Sequence, residues 1–172
     1  LEAARNGGIF DQIGFGFHRY SVDERWLVPH FEKMLYDQAT LTMAYTEAYQ
    51  ATGNEEYKKT AREIITYVLN NLAGPQGTFC SAEDADSEGE EGNFYLWTEP
   101  EIRQLLTDDE ASLASAIFNV KTNGNFEETG TRQKTGKNVL YQDKPLTQIA
   151  SDLHTSEEEL TNRFEVIRQE ML

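Results

Sequence analysis

The feature that most constrains the fold is a pair of helical patterns joined by the dipeptide Gly53-Asn54. Residues 31–52 place apolar side chains on overlapping faces with few charges, which predicts a helix buried on most sides. Residues 55–73 interleave apolar and charged side chains at three- and four-residue steps, which predicts an amphipathic helix. Gly53 suits the end of the first helix, and Asn54 suits the N-cap of the second. Together they predict an αα-hairpin, the unit of helical bundles and α/α toroids.

The rest of the chain continues this mainly α pattern with short extended pieces in the loops. After a turn at residues 74–77, two strands are predicted to face each other across an acidic loop, at residues 78–81 and 93–98. Further helices are predicted at residues 99–106, 109–118, 146–153 and 156–172. No linker divides the chain, so we expect residues 1–172 to belong to one domain.

The charge balance excludes several classes of partner. The chain has 15 Lys plus Arg against 30 Asp plus Glu, a net charge of −15. A phosphate backbone or an anionic membrane surface is therefore an unfavourable partner, and no apolar run approaches the roughly 20 residues that span a bilayer.

The single cysteine, Cys80, excludes an internal disulfide and favours a reducing cytoplasm. The chain begins at Leu1 and stops at Leu172 within a helical pattern, so we expect a piece of a longer protein.

Residues 7–37 hold most of the candidate chemistry. Aromatic, acidic, basic and imidazole side chains stand among glycines there, with no single helical or strand period. Proton removal next to a sugar carbonyl needs a base and a cation that stabilises the enediolate, and histidine with arginine meets this need. We therefore predict four catalytic residues: His18, Arg19, His30 and Glu32. The alternative is that the histidines are structural residues packed beside aromatic rings.

Carboxylates offer a second chemistry. A glycosidase needs one carboxylic acid and one ionised carboxylate at a set separation, and this acidic chain supplies many candidates. The alternative for each of them is ordinary surface charge. As residues that bind the substrate in a polar cleft, the sequence suggests Tyr20, Asp23, Trp26, Asp37, Glu83, Asp84 and Asp86.

The acidic loop also invites comparison with a calcium site. Asp84, Asp86, Glu88 and Gly89 match the first half of an EF-hand loop. The twelfth position is Tyr95, where a bidentate glutamate is required, so the match fails. We predict no metal and no cofactor.

Two groups of motifs resemble a known family. The first comprises GGIFD at 7–11, FHRYSVD at 17–23, Trp26, and PHFEKMLYD at 29–37; the second comprises SAEDADS at 81–87, Glu91-Gly92, and FY at 94–95 with WT at 97–98. They resemble the signatures of the large thioredoxin-domain-containing proteins that include the bacterial YyaL proteins and the spermatogenesis-associated thioredoxin-like proteins. The resemblance covers most of residues 7–106. The chain departs from it at Phe15, where glycine is usual, and at Gln38, where asparagine is usual.

The resemblance implies a fold and a partner. In that family a thioredoxin-like domain precedes a helical toroid of the six-hairpin glycosidase type, similar to N-acylglucosamine and cellobiose 2-epimerases. This chain would then be a fragment of the (α/α)6 toroid, with the thioredoxin-like domain of the same full-length chain as a partner. An incomplete toroid leaves apolar helix faces uncovered, which predicts self-association.

Two hypotheses follow for function. The first is a carbohydrate-active domain with epimerase, isomerase or glycosidase chemistry on a small-molecule sugar. The second is a non-catalytic helical scaffold that holds a partner or the thioredoxin-like domain. Convergence of His18, His30 and the acidic loop on one concave pocket favours the first hypothesis, and their dispersal favours the second.

Overall fold

A computed structural model describes residues 1–87, 89–127 and 134–172. The fold of these residues is mainly α, as the sequence predicts, and none of their helices is both long and apolar enough to cross a membrane. Within these ranges there are seven α-helices: α1 (Glu2–Asn6), α2 (Leu35–Thr52), α3 (Glu55–Tyr67), α4 (Glu99–Leu105), α5 (Asp108–Ile117), α6 (Leu146–Asp152) and α7 (Glu157–Glu170).

Short antiparallel pairs of two-residue strands lie in the loops. They are β1 (Tyr20–Ser21) with β2 (Pro29–His30), β3 (Lys33–Met34) with β4 (Ala82–Glu83), β5 (Asp86–Ser87) with β6 (Glu90–Glu91), and β7 (Trp97–Thr98) with β8 (Lys137–Asn138). The predicted pairing of residues 78–81 with 93–98 is wrong, because Phe79 forms a bridge with the nearby Ala73 and β7 pairs with β8.

The αα-hairpin forms as predicted. Gly53 adopts the left-handed conformation (φ 71°), and its N–H donates to the carbonyl of Tyr49 at 2.7 Å. The side chain of Asn54 accepts from the N–H of Glu56 and so caps α3. The helix then continues as a π-helix over Val68–Leu72. Local signals therefore fix this supersecondary unit.

Helix α2 differs from its prediction in two respects. It begins at Leu35 rather than at residue 31, because Lys33 and Met34 pair with β4 instead of joining the helix. Only Gln38 and Tyr45 are buried along it, so the expectation of burial on most sides is wrong for the described residues. The helix packs on α3 and leaves its opposite face exposed.

Among the described residues, three apolar clusters make up the core, and the segment before β1 lies between two of them. Helices α4 to α7 form the first cluster, which Ile13 joins. Phe10 and Phe17 pack against α2 and α3 in the second cluster. The third cluster gathers around Phe31 and includes Val139. Residues 10–17 therefore connect the two helical groups, and Phe31 stands next to that junction.

Candidate functional site

Along the segment from His30 to Lys33, successive side chains alternate between the surface and the interior. Phe31 and Lys33 are buried, whereas the side chains of His30 and Glu32 remain 27% and 31% exposed. This alternation creates two clusters of polar side chains. We call the first the inner cluster: Asp11, His18, Lys33, Tyr67, Glu83 and Tyr95. We call the second the outer cluster: Arg19, Tyr20, His30, Glu32 and Glu91.

Lys33 is the centre of the inner cluster. Its Nζ lies 2.7 Å from Oδ2 of Asp11 and donates to the carbonyl of Phe15 at 2.9 Å. The ammonium also lies over two aromatic rings, 4.4 Å from the centre of Tyr67 and 4.6 Å from that of Tyr95. Burying an ammonium costs several kcal/mol, so each of these contacts is needed to offset the loss of water.

Asp11 is held as a carboxylate. Its Oδ1 accepts from the backbone N–H groups of Ile13 and Gly14, both at 2.9 Å. Burial raises the pKa of Asp11, but the charge of Lys33 and these hydrogen bonds outweigh that effect, and the net pKa is lowered. The turn continues through Phe15 in the left-handed conformation (φ 69°), at the position where the resembling family usually has glycine.

Glu83 receives two tyrosine hydroxyls. Tyr67 donates to one carboxylate oxygen at 2.6 Å, and Tyr95 donates to the other at 2.7 Å. Burial and the negative charge of Glu83 raise the pKa of both tyrosines, which therefore remain protonated donors. Lys33 and Glu83 also face each other in the β3–β4 register. The inner cluster thus joins side chains from five separate segments of the chain.

His18 is buried and neutral. Its Nδ1 lies 3.0 Å from the carbonyl of Phe31, and a carbonyl can only accept, so the proton is on Nδ1 and the lone pair is on Nε2. Burial, followed by the charge of Lys33, lowers the pKa of His18 to about 3. The ring meets those of Phe31 and Tyr95 edge to face. The imidazole therefore has a fixed tautomer and carries no charge near neutral pH.

A cavity of about 280 Å³ opens beside the inner cluster. Asp11, His18 and Tyr95 line it together with Phe31, Phe94 and Trp97. Polar groups and aromatic rings thus face the same space. This combination is typical of small-ligand sites, where a few polar groups orient a ligand against apolar walls.

The outer cluster lies nearer the surface and combines one ion pair with contacts of the His30 ring. Arg19 donates to Glu32 at 2.9 Å, and Nε2 of His30 lies 3.2 Å from the same Glu32 oxygen. Nδ1 of His30 lies 2.7 Å from Glu91, and Tyr20 stacks on the imidazole. His30 and Glu91 also line a second cavity, of about 430 Å³. His18 and His30 therefore lie close along the chain but line different cavities, with Phe31 in the lining of both, and this separation favours the scaffold hypothesis.

Asp23 and Trp26 shape a loop. One carboxylate oxygen of Asp23 accepts from the N–H groups of Arg25 and Leu27, and the other accepts from Val28 at 2.8 Å. Burial raises the pKa of Asp23, but these hydrogen bonds outweigh it and lower the net pKa. Trp26 has a positive φ of 62° and is exposed. Both residues were predicted to bind substrate, and neither lines the cavities beside His18 and His30.

The remaining predicted acids also lie outside the two cavities. Asp37 is in the first turn of α2, where burial raises its pKa, and within the described residues its Oδ2 is buried without a hydrogen-bond partner. Asp84 accepts from the N–H of Asp86 at 3.1 Å in the turn before β5. Glu88 lies outside the described residues. Among the residues that are described, no three His, Cys, Asp or Glu side chains converge to hold a metal ion.

Four residues of the inner cluster received no role from the sequence: Asp11, Lys33, Tyr67 and Tyr95. Tyr67 belongs to a helical pattern, and its contact with Glu83 depends on tertiary packing. The alternation of Lys33 with Glu32 was the signal that could have placed the lysine on the buried face. His18 and Glu83 were predicted, and the structure brings both into the inner cluster.

Comparison with known proteins places part of the chain among long relatives. No protein-family model matches the chain. Spermatogenesis-associated protein 20 of Homo sapiens is 53% identical over 112 residues, and that of Mus musculus is 52% identical over 112 residues. This part of the chain is homologous to spermatogenesis-associated protein 20. The aligned residues are 62% of this chain and 14% of each relative.

A more distant relative extends the similarity. An uncharacterized protein of Caenorhabditis elegans is 38% identical over 157 residues, which are 81% of this chain and 21% of that protein. The chain thus spans about one seventh of the two mammalian relatives and about one fifth of this one. None of these names states a reaction.

Proposed function

We propose that the cavity beside His18 binds a sugar and supports proton transfer of the epimerase or isomerase type. Aromatic rings with polar groups next to them suit a sugar, which presents apolar C–H faces and hydroxyl edges. Phe94 and Trp97 offer the rings, and Asp11 and His18 offer acceptors for hydroxyl groups.

The observation that carries this proposal is the state of His18. A neutral imidazole with its proton fixed on Nδ1 leaves Nε2 able to accept a hydrogen bond or a proton. A pKa of about 3 makes His18 a weak base. Proton transfer therefore depends on Asp11, whose negative charge favours the imidazolium.

Glycosidase chemistry has less support. It requires two carboxyl groups that face one space. Within the described residues, Asp11 is the one carboxylate side chain in the cavity lining, and Lys33 keeps it ionised. We therefore favour proton transfer over glycoside hydrolysis.

We also propose that the chain is part of an (α/α)6 toroid similar to the 2-epimerases and that it acts in the cytoplasm. The αα-hairpin of α2 and α3 supports the toroid, as does homology to much longer proteins. The exposed, unbridged Cys80 supports a reducing compartment.

The test is hydrogen exchange into sugars. The protein is incubated with mono- and disaccharides in heavy water, and deuterium at the carbon next to the carbonyl is followed by NMR. We expect exchange for at least one sugar and its loss in His18→Asn, because asparagine can still donate to Phe31 but lacks Nε2. His154→Asn is the matched control, since His154 is an exposed residue with a positive φ of 56°, which asparagine tolerates. Absence of exchange for every sugar, or equal exchange in both variants, would contradict the proposal.

A second candidate is a non-catalytic scaffold that holds the thioredoxin-like domain of a longer chain or a second copy of itself. The exposure of Tyr36 and Met43 on α2 favours it, because an uncovered apolar helix face is typical of an interface. Light scattering would detect self-association, and a monodisperse monomer would exclude the second copy. A pull-down would test binding of the thioredoxin-like domain. If the His30→Ala and Glu32→Ala variants bound this domain as well as the parent does, the scaffold hypothesis would lose its support.

A further inference from the structure

We infer that the cavity beside His18 selects uncharged sugars and discriminates against phosphorylated and acidic ones. This inference rests on the proposed function, because it concerns the ligand of the same cavity. It comes from the charges in and behind the cavity wall.

The wall itself offers no cation. Among the described residues that line the cavity there is neither lysine nor arginine, and Asp11 contributes a negative charge. His18 stays neutral because burial lowers its pKa to about 3. A phosphate or carboxylate group in the cavity would meet the carboxylate of Asp11 and the lone pair on Nε2 of His18, and no ammonium or guanidinium group of the described lining would pair with it.

Three cations lie behind the wall, and each is already neutralised. Lys33 is bound by Asp11, as described above. Arg5 donates to Glu63 and to Gln12, both at 2.9 Å, and its guanidinium lies 3.8 Å from the centre of the Phe10 ring. Its positive charge is therefore paired with Glu63.

Arg168, in α7, is paired in the same way as Arg5, with a carboxylate, a neutral acceptor and an aromatic ring. It makes a two-pronged pair with Glu165, at 2.7 and 3.0 Å, and donates to the carbonyl of Ile13 at 2.7 Å. The guanidinium stacks on Phe15, 4.4 Å from the ring centre. Each of the three cations thus has a carboxylate, a neutral acceptor and an aromatic face, and it would have to give up one of these to reach an anion.

The expected selectivity follows from the cost of an unpaired charge. Burying an anion without a counter-ion costs several kcal/mol, and about 2.7 kcal/mol corresponds to roughly 100-fold in affinity. The chain's net charge of −15 adds to this repulsion at low salt. We expect a charged sugar to bind at least roughly 100-fold more weakly than its neutral parent.

The first experiment compares matched ligands. Glucose, galactose and mannose are titrated by saturation-transfer NMR or calorimetry against their 6-phosphates and their uronic acids. A preference for the neutral sugar of each set supports the inference. Equal or tighter binding of the charged sugar overturns it and leaves the proposed function standing. If no sugar of any kind binds, the proposed function fails and the inference fails with it.

The second experiment places a cation at the cavity mouth. Phe94 lines the cavity and is 70% exposed, so Phe94→Lys adds a positive charge there at little risk to folding. We expect the charged sugars to gain about tenfold relative to their neutral parents. Phe79→Lys is the matched control, because Phe79 is an exposed aromatic residue outside the cavity lining. Equal selectivity in the two variants would show that charge at the cavity does not set it.

Discussion

The inner and outer clusters contain ion pairs of nearly equal length in very different surroundings. Lys33 lies 2.7 Å from Asp11, and Arg19 lies 2.9 Å from Glu32. The side chain of Lys33 is 2% exposed, whereas that of Arg19 is 42% exposed. The comparison of the two pairs shows that the energy of an ion pair depends on its exposure to water as well as on its length. Water screens the outer pair, while the inner pair stands in a low-dielectric site where each partner depends on the other.

The two clusters also divide the chemistry. The inner cluster fixes protonation states, because His18 is kept neutral, Asp11 is kept ionised and both tyrosines are kept protonated. The outer cluster joins β2 to β6 through His30 and Glu91 on the surface. We therefore expect substitutions in the inner cluster to change folding and its pH dependence, and substitutions in the outer cluster to change little of either.

The largest expected effect is that of Lys33→Met. Methionine has a similar length but no charge, so Asp11 would remain buried without its counter-ion. We expect the free energy of unfolding to fall by about 3–5 kcal/mol, the range for breaking a buried pair. Urea denaturation followed by circular dichroism measures this loss.

Arg19→Met is the matched control for Lys33→Met, because it removes the cation of the outer pair. If both variants lost the same stability, the contrast between the clusters would be wrong. A loss below about 1 kcal/mol in Lys33→Met would show that the inner pair contributes no more than a surface pair.

The effect of intermediate size is the contribution of His18 to the pH dependence of folding stability. The folded pKa is lowered to about 3, while that of the unfolded chain stays near 6.5. Between these values the unfolded chain binds a proton that the folded chain does not, so stability falls as pH falls from about 6.5 towards 3. The contribution of this group is up to about 1.4 kcal/mol per pH unit.

His18→Asn should remove this contribution. We expect the slope of unfolding free energy against pH, measured between pH values of about 6 and 4, to be shallower in His18→Asn than in the parent or in His154→Asn. Parallel slopes for all three proteins would mean that His18 takes up its proton in the folded state as readily as in the unfolded chain.

The smallest effect is expected for the salt dependence of the outer pair. Because the Arg19 side chain reaches solvent, salt screens its interaction with Glu32. Any stability lost in Arg19→Met at low salt should therefore vanish at about 1 M salt. The loss in Lys33→Met should persist under the same conditions. A salt-independent loss in Arg19→Met would indicate that its role is packing rather than charge.

Sequence reasoning reached part of the candidate site and missed its centre. Residue type and the neighbouring Arg19 were enough to select His18, and the acidic loop drew attention to Glu83. The pair of Asp11 and Lys33 was missed because its partners are 22 residues apart and separated by the β1–β2 hairpin. Gln38 shows the same limit: within α2 it is an ordinary residue, yet in the fold it bridges the N–H and the carbonyl of Phe17.

The sequence by itself determined the elements that short-range physics controls. Gly53 and Asn54 set the αα-hairpin, and Ser156 caps α7 by accepting from the N–H of Glu159, because caps and turns depend on residues within a few positions. Only the tertiary structure decided where α2 begins and which charges are buried. Both depend on the pairing of β3 with β4, about 50 residues along the chain, and on the low dielectric that burial creates around Lys33.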